Sequence, residues 1–389
     1  GDGGAFRAMS LPLLSVLVFL PLAGAALLWL LPARTARLVT AGAMLATLAA
    51  ASAVMVAFDP DGPRFQLIER VLWIASLNVH YQLAIDGLSV LFLPATALLF
   101  LGALVASWNL VHDAPRFYYS LLLLLQCATL GIFCSLDTVL FFVFWELTLI
   151  PLYFLLGRWG AVAGSARVAA RYFLIMLAGG VPLLLAFVLL AASQSVPTFD
   201  LLALLAVPLP HATQHAFLLL CLIGFGVKVP LVPLHTWLPQ FALAAPGSLT
   251  ALLVGLKLGA YGLIRFAIPL APDAAQDLHW LLAGLGTVTL IYGAVGILAQ
   301  SNLRVALAYA SICHVGLAVL GLAAFTAQGV QGAVSLLLSF SVATGGAFLL
   351  LEFLRQRTGS TDIHSLGGAA KTMPLLASGF LICGLAGVG

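Results

Sequence analysis

Long apolar stretches separated by short polar connections run along nearly the whole chain. A helix needs roughly 20 apolar residues to cross a hydrocarbon core of about 30 Å, and these stretches meet or approach that length. They lack the strict alternation of a lipid-facing barrel strand, so we expect helices, which pair their backbone groups internally. The pattern predicts an all-α, polytopic membrane protein with about 12 spans, near residues 11–31, 38–58, 84–108, 116–135, 137–157, 169–192, 213–240, 248–270, 277–299, 303–323, 328–354 and 372–389.

Composition indicates that lipid is the main solvent of this chain. Of its 389 residues, 63% are hydrophobic and only 7% are charged, and the mean hydropathy is +1.15. Soluble domains carry roughly 25% charged residues, so this chain has too few to cover a surface that faces water. The formal net charge is +3 and the basic residues form no patch, which argues against nucleic-acid binding.

The basic residues are distributed unevenly between the two sets of predicted connections. Arg64, Arg70 and Arg265 follow even-numbered spans, whereas the larger group lies in or beside the connections after odd-numbered spans. That group consists of Arg34, Arg37, Arg116, Arg158, Arg167, Arg171, Arg304, Arg355, Arg357 and Lys371. Because basic residues favour cytoplasmic loops, the odd-to-even connections are expected in the cytoplasm and the N-terminus outside.

The two ends of the chain differ from the rest of it. Residues 1–8 (GDGGAFRA) are unlike the apolar remainder and precede Met9, so they suggest a non-native extension. The last predicted span has barely begun at Gly389, which suggests a chain truncated at its C-terminus.

Three charged residues lie inside predicted spans, where each charge costs several kcal/mol, about 2.5–3.5 on insertion scales. They are Glu146, Lys228 and Lys257, and the chain contains only one further lysine, Lys371. A charge kept inside a span usually marks an ion or proton pathway. The three side chains are therefore the first candidates for a functional site.

Glu146 stands in the segment FFVFWELTLIPLYFLLGRWG, well before Arg158. At about 1.5 Å per residue, the carboxylate is too far from the level of Arg158 to snorkel there. Pro151 removes a backbone donor and favours a kink in the same helix. Both a proton-binding carboxylate and a purely structural one paired with an arginine are compatible with this pattern.

Lys228 stands in GFGVKVPLVPLHTWLP, where Pro230 and Pro233 interrupt a regular helix. Transporters use such broken helices at mid-depth, where freed carbonyls and helix ends line a wet cavity. An ammonium beside the break is suited to binding and releasing a proton, and the alternative is a lysine that snorkels to the surface. His235, just after the break, is a candidate gate or a loop anchor.

Lys257 stands in SLTALLVGLKLGAYGLIRF, before Arg265, which is expected at the membrane edge. Glycines on one flank of this helix suit close helix packing. The rise of a helix then predicts Lys257 about 12 Å inside the membrane, as a proton carrier or as a structural cation.

His314 lies in the segment ALAYASICHVGLAVLGL, with Tyr309 and Ser311 as candidate support for a relay. A histidine titrates near neutral pH unless its surroundings shift it, which suits proton transfer. A lone membrane histidine also serves as a hydrogen-bonded packing residue. We hypothesise that movement of Glu146 towards or away from Lys228 changes the hold of the lysine on its proton, which the loss of proton pumping in a Lys228→Met variant would test.

These segments resemble the M-type, antiporter-like subunit of NADH–quinone oxidoreductase, the respiratory complex I. FWELTLIPLYFLLGRWG is similar to its fifth helix, VKVPLVPLHTWLP to its broken seventh and APGSLTALLVGLKLGAYGLIRF to its eighth. LRVALAYASICHVG is similar to its tenth helix, TDIHSLGGAAKTMPLLASGFLICGLAGVG to the approach to its twelfth, and YQLAIDGLSV to the entry to its third. The resemblance covers nearly all of residues 9–389.

The resemblance implies a fourteen-helix subunit with two inverted five-helix repeats and a broken helix 7, of which about 12 helices are present. Residues 9–110 then hold helices 1–3, residues 111–271 the first repeat with helices 4–8, and residues 272–389 an incomplete second repeat. It also implies a proton relay in which Glu146 pairs with Lys228, Lys257 passes protons towards the second repeat, and His314 continues the path.

The family further implies a non-redox, proton-translocating subunit of an NADH:quinone oxidoreductase in the bacterial inner membrane. NADH, FMN, iron–sulfur clusters and quinone are expected on partner subunits, and no cofactor on this chain. The expected partners are neighbouring antiporter-like membrane subunits, the lateral helix of the L-type subunit, and the lipid bilayer.

Several positions depart from the family pattern, among them Asn302 and Arg304 in the segment SNLRV before the tenth helix. Gln240 and Ala242 stand where the family often has an acid and a histidine after the broken helix, and Phe340 replaces a histidine of its eleventh helix. Because an apolar Phe340 cannot relay a proton, water or nearby hydroxyl groups must bridge the gap, or the path runs elsewhere.

Two other functions stay open from the sequence. One is a cation/proton antiporter subunit of the multi-subunit Mrp type, or an ion-pumping subunit of a related membrane complex. The other is a membrane scaffold whose charges no longer conduct, which the loss of the family histidine at Phe340 keeps open. No Ser–His–Asp set and no metal cluster stands out, and the histidines are scattered, so neither covalent catalysis nor a metal site is expected.

Overall fold

A computed structural model of the chain describes residues 12–207 and 209–388. The predicted extension at 1–8 and Met9 lie outside the described residues. The helices of the N-terminal half are α1 (Leu13–Leu30), α2 (Ala36–Ala57), α3 (Phe92–Ser107), α4 (Pro115–Cys134), α5 (Thr138–Leu147), α6 (Leu149–Trp159), α7 (Ser165–Ala192) and α8 (Leu201–Ala206). They are followed by α9 (His211–Lys228), α10 (Trp237–Ala244), α11 (Gly247–Gly255), α12 (Leu258–Gly262), α13 (Ile268–Leu270), α14 (Pro272–Asp277), α15 (His279–Leu298), α16 (Leu303–Ala323), α17 (Ala327–Thr358), α18 (Ala369–Thr372) and α19 (Pro374–Val388).

Nine helical segments in the described part of the chain are long and apolar enough to cross a membrane. The shorter apolar helices α3 and α19 cover the third and twelfth predicted spans, and α9 with α10 covers the seventh. A mostly helical membrane protein is therefore confirmed, while the exact number of crossings stays a prediction.

The outer face of α15 illustrates why lipid suits this fold. Val288, Ile291, Val295 and Leu298 follow one another at helical spacing and are 53%, 57%, 62% and 88% exposed. A continuous apolar stripe of this kind is unfavourable in contact with water and favourable in contact with lipid acyl chains. Its other face packs on α16, and further close pairs are α7 with α9 and α11 with α17.

The all-α prediction is wrong between α2 and α3, where the structure contains a β-hairpin. Strand β1 (Gln66–Ile74) pairs antiparallel with β2 (Val79–Ile85). Asn78 completes the turn with a φ of 53°, a left-handed conformation that asparagine tolerates better than most residues. The predicted span at 84–108 therefore starts too early, because its first residues end a strand and the helix begins at Phe92.

The hairpin is attached to the start of α5. The backbone N–H of His80 donates to Oδ2 of Asp137 at 3.0 Å, and the N–H of Leu136 donates to the carbonyl of Gln82 at 2.9 Å. Asp137 is also the N-cap of α5, where its Oδ1 accepts from Val139 and Leu140 at 2.9 and 3.1 Å. One buried carboxylate thus joins a strand to a helix end.

Three helices in the middle part of the chain are interrupted. The first interruption separates α5 from α6 at Thr148, and the second is the non-helical segment 229–236 between α9 and α10. The third was not expected, since the sequence predicts one continuous helix over 248–270. In the structure α11 ends at Gly255 and Lys257 has a left-handed φ of 51°.

Candidate functional site

Lys228 is the last residue of α9, and its ammonium lies on the interruption between α5 and α6. Nζ donates to Oγ1 of Thr148 at 2.9 Å and to the carbonyl of Trp145 at 3.2 Å. The same nitrogen is 3.9 Å from the centre of the Trp145 ring, a cation–π distance. A cation at a helix C-terminus is also favoured by the helix dipole. The ammonium is therefore held by neutral groups inside the protein and does not snorkel outwards.

Glu146 stands between Trp145 and Leu147 in α5, yet its carboxylate makes no ion pair with Lys228 within 4.0 Å in the described part of the chain. Its Oε1 is buried without a hydrogen-bond partner among the described residues. That oxygen lies against α7, because a β-carbon placed on Gly180 would be 2.2 Å from it. Only a glycine permits this approach. Lys228 thus contacts the residues that flank Glu146, and the carboxylate points to another helix.

Lys257 is buried at the break between α11 and α12, with 7% of its surface exposed. Its Nζ donates to Oγ of Ser311 at 2.6 Å, so the lysine is joined to α16 in the second half of the chain. A left-handed backbone costs a non-glycine residue roughly 1–2 kcal/mol. Such strain recurs at functional sites, and here it falls on the residue that bears the charge.

A small cavity lies between the two lysines. Its volume is about 40 Å³, and its polar lining consists of Lys228, Lys257, Thr129, Thr148 and Ser311. The helices that carry the lysines can approach closely because α12 presents a glycine to the end of α9. A β-carbon on Gly259 would lie 2.6 Å from the backbone nitrogen of Val229.

His314 lies one helical turn beyond Ser311 on α16. Its Nδ1 is 2.7 Å from the carbonyl of Ala310 and its Nε2 is 2.8 Å from the carbonyl of Gly387 in α19. A neutral imidazole has one N–H and donates to only one of these oxygens, so uptake of a proton adds a hydrogen bond. The arrangement is compatible with a relay residue and also with a packing role.

The ring of Phe340 lies close to both Lys257 and His314. Its ring stacks on the imidazole with centroids 3.5 Å apart, and the ammonium of Lys257 is 5.2 Å from the ring centre. An apolar ring therefore contacts both titratable groups, and it has no group that can pass a proton between them. Ser311, which contacts Lys257, offers a route around the ring along the same face of α16.

His235 is buried in the segment after Lys228, with its Nδ1 unpaired among the described residues. Its ring packs edge-on against Tyr292 of α15 at 4.6 Å, and Tyr292 lies 6.2 Å from Tyr309 of α16. The two candidates His235 and Tyr309 therefore belong to one aromatic row. Tyr292 lies between them in this row. The sequence does not predict its role, because it stands in an apolar helix without a charged residue nearby. Of the helix-break residues, Pro230 is buried and Pro233 exposed.

Arg265 is not at an exposed membrane edge as the sequence suggested. Its guanidinium is 3% exposed and forms a bidentate ion pair with Asp86, at 2.6 Å from Nη1 to Oδ2 and 2.5 Å from Nη2 to Oδ1. Asp86 lies in the connection between β2 and α3, outside the helices. Burial raises the pKa of its carboxyl, but the hydrogen bonds and charge of Arg265 outweigh burial and hold that pKa below its usual value.

A second buried charge cluster fixes the start of α11. Oε2 of Glu352 accepts from the backbone N–H of Gly247 at 2.6 Å, where a helix N-terminus favours negative charge. Its Oε1 pairs with Arg355 at 2.8 Å, and Arg304 donates to the carbonyl of Ala245 at 2.8 Å. The charge pattern predicts Arg304 and Arg355 in or beside connections, and the bonds from Glu352 and Arg304 join the start of α11 to α17 and α16.

Comparison with known proteins gives a consistent result. Residues 135–389 match the profile of the family described as NADH:quinone oxidoreductase/Mrp antiporter, TM. The chain is 36% identical to NAD(P)H-quinone oxidoreductase chain 4 3 of Trichormus variabilis, over 93% of this chain and 68% of that protein. It is 34% identical to NADH-quinone oxidoreductase subunit M of Rhodobacter capsulatus, over 97% and 77%.

A solved structure extends the similarity to three dimensions. A chain of respiratory complex I from Thermus thermophilus with bound NADH superposes with a TM-score of 0.89 at 32% identity, covering 97% of this chain and 78% of that one. The expected M-type resemblance is confirmed. This integral membrane protein therefore belongs to the NADH:quinone oxidoreductase/Mrp antiporter family, among its proton-translocating M-type subunits.

Proposed function

We propose that this chain moves protons through a relay formed by Glu146, Lys228, Lys257 and His314, with Ser311 between the last two. The observation that carries the proposal is the small cavity lined by both lysines. A cavity of about 40 Å³ accommodates on the order of three water molecules at about 10–15 Å³ each, and its lining supplies polar partners for them. Water there would connect two amines that do not touch.

The carboxylate of Glu146 would change the protonation of Lys228 by moving towards it or away from it. The ammonium lies on Trp145 and Thr148, one and two residues from the carboxylate, and the carboxylate lies on Gly180. A rotation of Glu146 from α7 towards Lys228 would create an ion pair that favours the charged amine, and the reverse rotation would weaken it. The two side-chain positions of Glu146 would thus switch Lys228 between binding and releasing its proton.

Transfer onwards would use Ser311. The hydroxyl accepts from Lys257 and stands one turn before His314, so it offers a path that avoids the ring of Phe340. His235, Tyr292 and Tyr309 form a separate row that would serve as a gate between the segment after Lys228 and α16.

The wider assignment is also a proposal. The chain would act as a non-redox subunit, with NADH, FMN, iron–sulfur clusters and quinone bound by partner subunits. Its neighbours would be other antiporter-like subunits and the lateral helix of the L-type subunit, in a bacterial inner membrane with the N-terminus outside. The complete subunit would contain fourteen helices in two inverted repeats, with the segment 229–236 as the break of helix 7.

Three matched lysine variants test the relay: Lys228→Met, Lys257→Met and the exposed control Lys371→Met. Each would be assembled into the complex, and NADH-driven proton uptake would be followed in inverted vesicles. Loss of a hydrogen-bonded charge is worth about 1.5–3 kcal/mol, so the first two variants should slow pumping at least about tenfold while the control pumps normally. Equal pumping in all three, with normal assembly, would refute the relay.

The matched family also includes Mrp antiporters, so a sodium-linked function is the alternative. It predicts that pumping by the wild-type complex depends on sodium concentration and carries sodium in the opposite direction. Measurement of ²²Na⁺ flux in the same vesicles separates the two. A scaffold, in contrast, predicts that none of the lysine variants alters transport.

A further inference from the structure

Two histidines and an aspartate meet at the end of α9 opposite Lys228. His211 and His215 stand in the first turns of α9, and Asp277 is the last residue of α14. Nε2 of His211 is 2.9 Å and Nε2 of His215 is 3.3 Å from the same carboxylate oxygen, Oδ2 of Asp277. One ligand atom from each residue lies within 4.8 Å of the others. No metal site was expected from the sequence, because the aspartate is remote along the chain.

We propose that these three residues bind a divalent transition-metal ion of the zinc type. Zinc takes imidazole nitrogen and carboxylate oxygen at about 2.0–2.2 Å, which in a tetrahedron places neighbouring ligand atoms about 3.3 Å apart. The two nitrogen-to-oxygen distances already match this edge to within a few tenths of an ångström. Side-chain rotation alone would bring the three atoms around an ion.

The ring of His215 is oriented for metal binding. Its Nδ1 is 3.0 Å from the backbone carbonyl of His211, so the tautomer with its N–H on Nδ1 donates to that carbonyl and leaves the lone pair of Nε2 for an ion. A metal-binding histidine typically donates its other N–H to a carbonyl or carboxylate in this way. The spacing of four residues puts both imidazoles on one face of the helix.

The backbone around the site is held in place without a metal. Gln214, between the two histidines, donates to Asp273 at 2.9 Å and accepts from the backbone N–H of Asp273 at 3.0 Å. These bonds fix α14 against α9. Because the ligand-bearing elements are already docked, an ion would not need to order them, which favours binding.

The site is open to solvent and distant from the lysines. The side chains of His211, His215 and Asp277 are 64%, 31% and 50% exposed, so an ion can enter and water can complete its coordination. Along α9, His215 and His211 are about 20 and 26 Å from Lys228 at about 1.5 Å per residue. The ion would cross-link α9 to the α14–α15 connection, and it takes no part in the proposed relay.

Zinc binding to the purified full chain in detergent tests the proposal. Calorimetric titration with Zn²⁺, and visible absorption with Co²⁺ as a second probe, should show one site in the wild type and in the control variant His112→Ala, which alters an exposed histidine elsewhere. His211→Ala and His215→Ala should weaken binding at least tenfold, about 1.4 kcal/mol or more. Helical content and elution volume equal to the wild type would show that each variant is folded.

Several results would overturn the assignment. These are no saturable site in the wild type, an unchanged affinity in both His211→Ala and His215→Ala, or a loss confined to the neighbouring His279→Ala. Because binding is read directly, failure of the relay proposal would leave this result intact.

Discussion

The buried pair of Asp86 and Arg265 allows the sharpest stability prediction. Replacing Asp86 by leucine would leave the guanidinium of Arg265, only 3% exposed, without its bidentate partner. Arginine cannot shed its proton to relieve this, so the charge must stay in an apolar setting or the structure must open towards water. Breaking one partner of a buried pair costs about 3–5 kcal/mol. We expect that loss of unfolding free energy for Asp86→Leu.

The matching surface pair provides the control. Arg158 and Asp113 are 2.8 Å apart, but their side chains are 48% and 71% exposed. Exposed pairs are worth about 0–1 kcal/mol, so Asp113→Leu should reduce stability by no more than that. The double variant Asp86→Leu with Arg265→Met removes both buried charges and should be more stable than Asp86→Leu alone.

The assay is reversible unfolding of the purified chain by SDS in mixed micelles, followed by circular dichroism at several pH values. Arg265 lowers the pKa of Asp86 in the folded protein. The ion pair therefore stabilises the folded protein fully at pH values above the usual aspartate pKa of about 3.9. This stabilisation is lost as the pH falls through the lower pKa of Asp86 in the folded protein. The difference between wild type and Asp86→Leu should therefore shrink at low pH. The reasoning fails if Asp86→Leu and Asp113→Leu cost the same, or if the double variant is the least stable.

Three further outcomes are expected from single contacts. Gly180→Ala would place a β-carbon 2.2 Å from the carboxylate of Glu146 and should slow proton pumping several-fold in assembled complexes, whereas Gly42→Ala, with nothing within 4 Å, should not. Ser311→Ala removes the 2.6 Å bond from Lys257, worth about 1.5–3 kcal/mol, and should slow pumping about 10- to 100-fold; a normal rate would exclude the hydroxyl from the path. Asp137→Ala removes the cap of α5 and should lower unfolding free energy in SDS titrations by about 1–2 kcal/mol, more than Asp137→Asn does.

Functional residues that stand out against their immediate sequence neighbours were predictable. A charge in an apolar run identifies Glu146, Lys228 and Lys257, since the cost of burial is evident from the letters alone. Prolines shortly after Lys228 predicted an interruption, and α9 ends at Lys228. The function class followed from the same segments.

Features that depend on distant partners were not predictable. Arg265 seemed to mark a membrane edge because Asp86, its partner, lies 179 residues earlier in the chain. The hairpin was missed because its strands are stabilised by each other and by Asp137, and not by a local pattern. The break at Lys257 was missed because the glycines around it also suit a continuous, closely packed helix.

Lys257 is both the residue at which the helix bends and the residue that carries the buried charge. Straightening the helix there would recover roughly 1–2 kcal/mol of backbone energy, about the value of the one bond to Ser311 that accompanies the bend. The backbone cost of the bend is thus comparable to the free energy of this bond, so we expect a change at the amine to alter the direction of the helix axis at Lys257. Faster amide hydrogen exchange around 255–261 when the amine is removed would register that coupling, and unaltered exchange would show the bend to be independent of it.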